Sequence, residues 1–318
     1  MPWGFFRRSA KVALEVQLDR PQGPYYPGEV VRARILVRNE GGTVKIRGAE
    51  ARLFLWQRYR QWVFIETDRD TEEDPTLFVD DEHWEPMWEE DVLHVAGRQP
   101  LPLPKRLPRG FQQVFQVAFR LPPQTAPGYQ GTLAQGGWSL HVALDRPWAK
   151  DVRQSLLVPV VVPPPGVHTR TGLYGRISHP NVVAMQLELP GLEFVEGDTL
   201  TGSLLLKSHR PVEGREIRVV LEVREFIPSN SPAGPMENAR PDFRETIEAA
   251  RVVLRPAAAL RPGESLRLPF RLEIPRLWRP TSATGGDGWI RWFLQGVVDR
   301  PRARDYRVEQ ELFVYNGR

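Results

Sequence analysis

Trp138-Ser139-Leu140-His141-Val142-Ala143-Leu144-Asp145-Arg146-Pro147-Trp148-Ala149-Lys150-Asp151 is written again, without a gap, as Trp292-Phe293-Leu294-Gln295-Gly296-Val297-Val298-Asp299-Arg300-Pro301-Arg302-Ala303-Arg304-Asp305. In both copies an aromatic-led apolar run ends in D-R-P-x-A-[K/R]-D, and another run of strand character follows. A strand, a Pro-containing turn and a second strand predict a hairpin. Self-similarity at one long period predicts a duplicated domain.

Two further landmarks recur in the same order. Tyr26-Pro27-Gly28-Glu29 matches Phe194-Val195-Glu196-Gly197-Asp198 in kind, each a Gly-containing turn between two alternating strands. The run at 111–121, with Phe111, Gln113, Phe115, Val117, Phe119 and Leu121 on one face, ends in Pro122-Pro123. Its counterpart, with Leu266, Leu268, Phe270, Leu272 and Ile274 on one face, ends in Pro275. Period-two alternation is frequent, and 31 Pro and 26 Gly are spread along the chain. The expected fold is all-β, with about seven strands per repeat in two packed, immunoglobulin-like sheets. A length of 318 residues suits two such domains. The expected boundaries are 1–161 for the first β-sandwich, with an acidic insertion at 66–91, and 181–318 for the second. Residues 162–180, rich in turn formers, are the expected linker. Residues 60–105 fit the strand pattern least well.

Composition narrows the chemistry. The chain has no Cys, so it has no disulfide framework and no thiolate metal site or nucleophile. It shows no secretory h-region and no run long enough to cross a bilayer as a helix, which leads to the expectation of a cytoplasmic protein. No two of the six His stand at metal-motif spacing, and His141 reads as a strand residue. No nucleophile elbow or phosphate-binding loop occurs. The chain is therefore expected to be no enzyme and to need no cofactor.

Net charge is +4, but residues 66–91 hold thirteen acidic side chains and one basic one, Arg69. Asp80, Asp81, Trp84, Met87 and Trp88 within this segment are the candidate partner-binding residues, because large apolar side chains among solvated charges act as anchors. Asp68, Asp70, Glu72, Glu73, Asp74, Asp80, Asp81 and Glu82 offer oxygen ligands, yet their spacing is not that of a Ca²⁺ loop, and a merely solvated acidic loop is the plainer reading. The segment could also fold back as a latch over a basic face of the same chain. At the N-terminus Trp3, Phe5, Phe6, Arg7 and Arg8 form a small cluster suited to weak contact with anionic membrane. Packing of those aromatics on the domain is the plainer reading. No nucleic-acid partner is expected.

The opening strand, Tyr25-Tyr26-Pro27-Gly28-Glu29-Val30, the alternating strand Val31 to Val37, Gly41-Gly42 and the strand from Ala51 to Tyr59 together resemble the N-terminal domain of the arrestin-like superfamily. Phe5-Phe6-Arg7-Arg8 ahead of the first strand resembles the bacterial sporulation-control branch. Pro262-Gly263-Glu264, Pro269-Phe270, Pro275 and Thr281-Ser282 resemble the signature of arrestin C-terminal domains. The resemblance implies two tandem sandwiches and a non-enzymatic adaptor or scaffold. It carries over no receptor-binding or phosphate-sensing residue and no buried charge core. The alternatives are a glycan- or membrane-surface-binding module, which surface aromatics such as Trp148 and Trp278 would serve, and a hydrolase on a β scaffold.

Overall fold

The computed structural model describes residues 12–21, 23–65, 83–165, 171–229 and 240–317, and all regular structure among them is β. In chain order the strands of the first half are β1 Val12–Leu18, β2 Val30–Asn39, β3 Val44–Lys45, β4 Gly48–Ile65, β5 His83–Pro100, β6 Arg106–Leu107, β7 Phe111–Arg120, β8 Tyr129–Gln130, β9 Ala134–Asp145 and β10 Val152–Val158. Those of the second half are β11 Gly172–Tyr174, β12 Arg176–Ile177, β13 Val183–Leu189, β14 Glu193–Val195, β15 Thr199–Ser208, β16 Glu216–Ile227, β17 Phe243–Arg255, β18 Ser265–Glu273, β19 Ser282–Ala283, β20 Trp289–Asp299 and β21 Tyr306–Tyr315.

The chain divides into two compact units. The first comprises Met1–Gln57, Asp91–Gly128 and Gly136–Val162; the second comprises Arg58–Glu90, Tyr129–Gln135 and Pro163–Arg318. The first is a β-sandwich of the sheets β1-β2-β7 and β10-β9-β4-β5. Val31, Ala33, Ile35, Val37, Phe115, Val117 and Phe119 of the smaller sheet meet Ala51, Leu53, Leu55, Trp138, Leu140, Val142 and Leu144 of the larger in one core. These are the alternate positions that period-two reading places inward.

The second unit repeats this plan. Its sheets are β11-β13-β15-β18 and β12-β21-β20-β16-β17. Met185, Leu187, Leu204, Leu206, Phe270 and Leu272 pack against Ile217, Val219, Leu221, Val223, Trp292 and Leu294. The stretch 162–180 contributes β11 to β13 and β12 to β21.

The repeated motif has a repeated geometry. Trp138 and Trp292 are both fully buried. Each indole N–H finds an acceptor at 2.7 Å, Thr125 Oγ1 for Trp138 and the Arg279 carbonyl for Trp292, as a buried indole requires. Asp145 and Asp299 end their strands, and their carbonyls accept the amides of Arg47 and Arg215, both at 2.8 Å. The amides of Arg146 and Arg300 donate to Asp151 Oδ1 and Asp305 Oδ1 at 3.2 and 3.1 Å. The guanidinium groups of the same two arginines reach the carbonyls of Lys150 and Arg304. D-R-P-x-A-[K/R]-D is thus a turn closed by its own first Arg and last Asp. The Gly-containing turns agree as well: Gly28 (φ 80°) and Gly197 (φ 92°) take a left-handed conformation open to Gly at no steric cost.

The sequence pattern misses one feature. Residues 60–105, where the strand pattern is weakest, hold the end of one 18-residue strand, β4, and all of another, β5. β5 ends its sheet order, and Met87, Val92, Leu93 and Val95 are exposed on it. An edge strand exposed on both faces needs no apolar alternation, so period-two reading has nothing to detect.

Candidate partner-docking surface

The sequence-selected residues Trp84, Met87 and Trp88 lie in the part of β5 that belongs to the second unit, opposite residues 58–65 of β4. Asp68, Asp70, Glu72, Glu73, Asp74, Asp80, Asp81 and Glu82, and Trp3, Phe5, Phe6, Arg7 and Arg8, lie outside the described residues.

Alternation along β4 puts Arg58, Arg60, Trp62 and Phe64 on one face. Arg58 and Arg60 bring their guanidinium carbons to 5.0 and 4.5 Å from the Trp88 ring centre. Each such contact contributes about 0.5–2 kcal/mol, more as water is excluded. Both cations are held from behind. Arg58 donates twice to Gln135 Oε1, at 3.0 and 2.6 Å, and Arg60 donates to the Pro86 carbonyl at 3.3 Å. Phe64 packs against Trp84 with centroids 5.3 Å apart. Trp62 stacks on Phe243 at 5.1 Å and donates its indole N–H to the Pro241 carbonyl at 3.0 Å. The aromatics are therefore immobilised before any partner arrives, which lowers the entropic cost of binding.

Part of this apolar surface stays in water. Phe64 is 38% exposed on this face, and Met87, on the opposite face of β5, is 44% exposed. Glu85 and Glu89 share the Met87 face, where Glu89 accepts from Gln61 Nε2 at 2.6 Å, and exposed Glu90 lies on the tryptophan face. The result is an acidic edge strand with rigid aromatic backing.

The outer face of the second unit's larger sheet offers a contrast, because its charges are matched internally. Arg218 meets Glu216 at 2.8 Å and Asp299 at 3.0 Å. Arg224 pairs with Glu222 and Glu309, and Gln295 donates to the same two carboxylates at 3.0 and 2.9 Å. A ladder already neutralised along its length has little to offer a charged partner.

Sequence reasoning missed one buried charge. Glu225 on β16 is 2% exposed. Its carboxylate accepts the amides of Thr132 and Leu133 at 3.0 and 2.7 Å and pairs with Arg279 at 3.2 Å. Arg279 also donates to the Gln130 carbonyl and Thr132 Oγ1. The carboxylate thus fastens the 130–133 segment to the sheet. The signal was present: Ile217, Val219, Leu221 and Val223 point inward, and one more step of that alternation reaches Glu225.

Two open cavities lie one in each unit. The larger, about 760 Å³, is lined by Gly197, Ala249, Ala250, Arg251, Val252, Arg271, Leu272, Glu273, Pro275 and Arg276, with neither a nucleophile nor a His among them. The other, about 590 Å³, lies against Gln17, Asp19, Arg32, Arg34 and Gln116. Among the described residues no cluster of three His, Asp or Glu side chains is placed to hold a metal ion, and no helix is long and apolar enough to cross a membrane.

Fold and surface together define an all-β protein of two sandwich units. No protein-family model matches the chain. Over 160 residues, 47% of its length, it is 29% identical to arrestin domain-containing protein 4 of Homo sapiens, covering 38% of that protein. Over 137 residues, 38% of its length, it is 30% identical to arrestin domain-containing protein 4 of Mus musculus, covering 32% of it. The chain thus spans well under half the length of either curated relative. The similarity supports a distant arrestin-like relationship and agrees with the sandwich architecture.

Proposed function

We propose that the chain is a non-enzymatic, arrestin-like adaptor that docks a protein partner on the second unit's part of the β4–β5 hairpin. The observation that supports this reading is an acidic edge strand that exposes Met87 on one face and, on the other, carries Trp84 and Trp88 held rigid beside half-exposed Phe64. The matching partner is an extended segment that adds to β5 through main-chain hydrogen bonds. It carries an apolar side chain for Met87 and a basic one for Glu90. Asp80 and Asp81, next to β5 in sequence, extend the acidic run and belong to the proposed contact.

The finer readings are part of the same proposal. The two units descend from one duplicated domain, with 1–161 and 181–318 as the descendants and 162–180 as the joining stretch. The setting is cytoplasmic regulation of the sporulation- or stress-control kind. Affinity purification from the native host tests the docking claim. Proteins recovered with the wild type and lost with Trp84→Ala/Trp88→Ala support it; the same recovery with both baits refutes it.

A further inference from the structure

Trp148 is the most exposed large apolar side chain among the described residues, at 101% of its reference area. It stands at the tip of the β9–β10 turn with φ 62°. A left-handed conformation at a bulky residue carries a cost of about 1–2 kcal/mol, and here no packing offsets it. The second copy of the motif isolates the reason. Arg302 takes the same place in the same turn with φ 59°. The turn therefore sets the backbone angle, and it does not require Trp. The indole at 148 is accounted for neither by the fold of the turn nor by a contact.

Its surroundings are basic. The Arg47 amide donates to the Asp145 carbonyl at 2.8 Å, which ties the strand after β3 to this turn. Lys45 pairs with Arg106 across β3 and β6, and the Ile46 amide donates to the Lys105 carbonyl at 2.9 Å. One end of the first sandwich thus presents Trp148 with exposed Lys45, Arg47, Lys105, Arg106 and Lys150. Three of the chain's five Lys are gathered here, although Arg outnumbers Lys more than sevenfold overall. The carboxylates within the turn are engaged, Asp145 with Arg47 at 3.7 Å and Asp151 with Arg153 at 2.8 Å.

We infer that this end of the first unit is a docking surface for an anionic lipid bilayer, with Trp148 entering the headgroup region and the lysines and arginines lying over the charged surface. Trp is at home at that depth, with its ring apolar and its N–H wet. Each cation close to an anionic leaflet contributes independently of fine geometry. A convex tip with flexible cations around it suits a fluid surface that closes around the side chain. The inference does not depend on the partner surface on β5, which lies in the other unit.

The test is co-sedimentation of the full chain with vesicles of phosphatidylcholine alone and with 30% phosphatidylserine. Binding should require the anionic lipid and weaken steeply in 0.5 M salt. Lys45→Ala/Lys105→Ala/Lys150→Ala should lower partitioning by about 10²-fold, and Trp148→Ala by roughly tenfold. Arg302→Ala/Arg304→Ala, in the equivalent turn of the second unit, should leave it unchanged. Melting profiles confirm that each variant is folded. Equal binding to neutral vesicles, or no binding to either, overturns the inference. So does equal loss in the Arg302/Arg304 variant, which would make the effect one of general charge. Displacement by millimolar glycerophosphoserine would also overturn it, by revealing a headgroup pocket in place of a surface.

Discussion

Replacing Glu225 by Ala removes the acceptor of two amides and the partner of Arg279 at once. Each buried N–H left without an acceptor costs about 1–3 kcal/mol. Breaking a buried ion pair from one side costs about 3–5 kcal/mol. The lower end applies to Arg279, which keeps its bonds to the Gln130 carbonyl at 3.3 Å and to Thr132 Oγ1 at 3.0 Å. These losses overlap, and about 4 kcal/mol is the expected total. Glu225→Gln keeps one acceptor and the shape, and should cost about half as much. Adding Arg279→Met to Glu225→Ala removes the stranded cation and should recover part of the loss. Gly131 should tolerate no side chain, because a Cβ there would lie 2.5 Å from Glu225 Oε2. Urea unfolding followed by near-ultraviolet circular dichroism reads the global change. Hydrogen exchange of peptides covering 129–135 reads the local one, with protection falling about 10³-fold if the segment opens independently. A Glu225→Ala protein within about 1 kcal/mol of wild type, or a double variant no better than the single, would refute this account of the charge.

The two motif tryptophans should behave as equivalents. Trp138→Phe and Trp292→Phe each lose an indole hydrogen bond and core volume, and each should destabilise its unit by about 1.5–3 kcal/mol in denaturant titration. Arg153 and then the Arg146 amide hold the Asp151 carboxyl below its ordinary range, and Arg215 and then Arg218 do the same for Asp299. A pKa lower in the folded than in the unfolded state gives stability that is present above about pH 4 and is lost as pH falls through the folded value. Melting temperature should therefore fall modestly below about pH 4, and Asp299→Asn should reduce that fall. Trp148→Gly should leave stability unchanged or raise it by up to about 1 kcal/mol in the same melts, because the left-handed angle no longer strains a side chain and no contact is lost.

What was legible in the sequence follows from where the determining forces act. The D-R-P turns are closed by residues within five positions of one another, so a local reading captures them. Core strands with one wet face, such as β2 and β7, announce themselves by alternation. The outer part of the β4–β5 hairpin does not, because β5 has water on both sides and its apolar residues follow no period. Composition alone singled out Trp84, Met87 and Trp88. It could not supply Arg58 and Arg60, whose meeting with Trp88 depends on strand pairing across about 30 residues of chain. Glu225 escaped for a different reason: a carboxylate inside an apolar face is explained only by the amides of Thr132 and Leu133 and by Arg279, all more than fifty residues away.

The docking claim is tested most directly by photo-crosslinking from position 87. A photoreactive amino acid replaces Met87 in the native host, with Val253, exposed on β17 of the same unit, as the control position. The account predicts a discrete protein adduct from position 87, absent from position 253 and diminished by Trp84→Ala/Trp88→Ala. No adduct from position 87, or the same adducts from both positions, would contradict it.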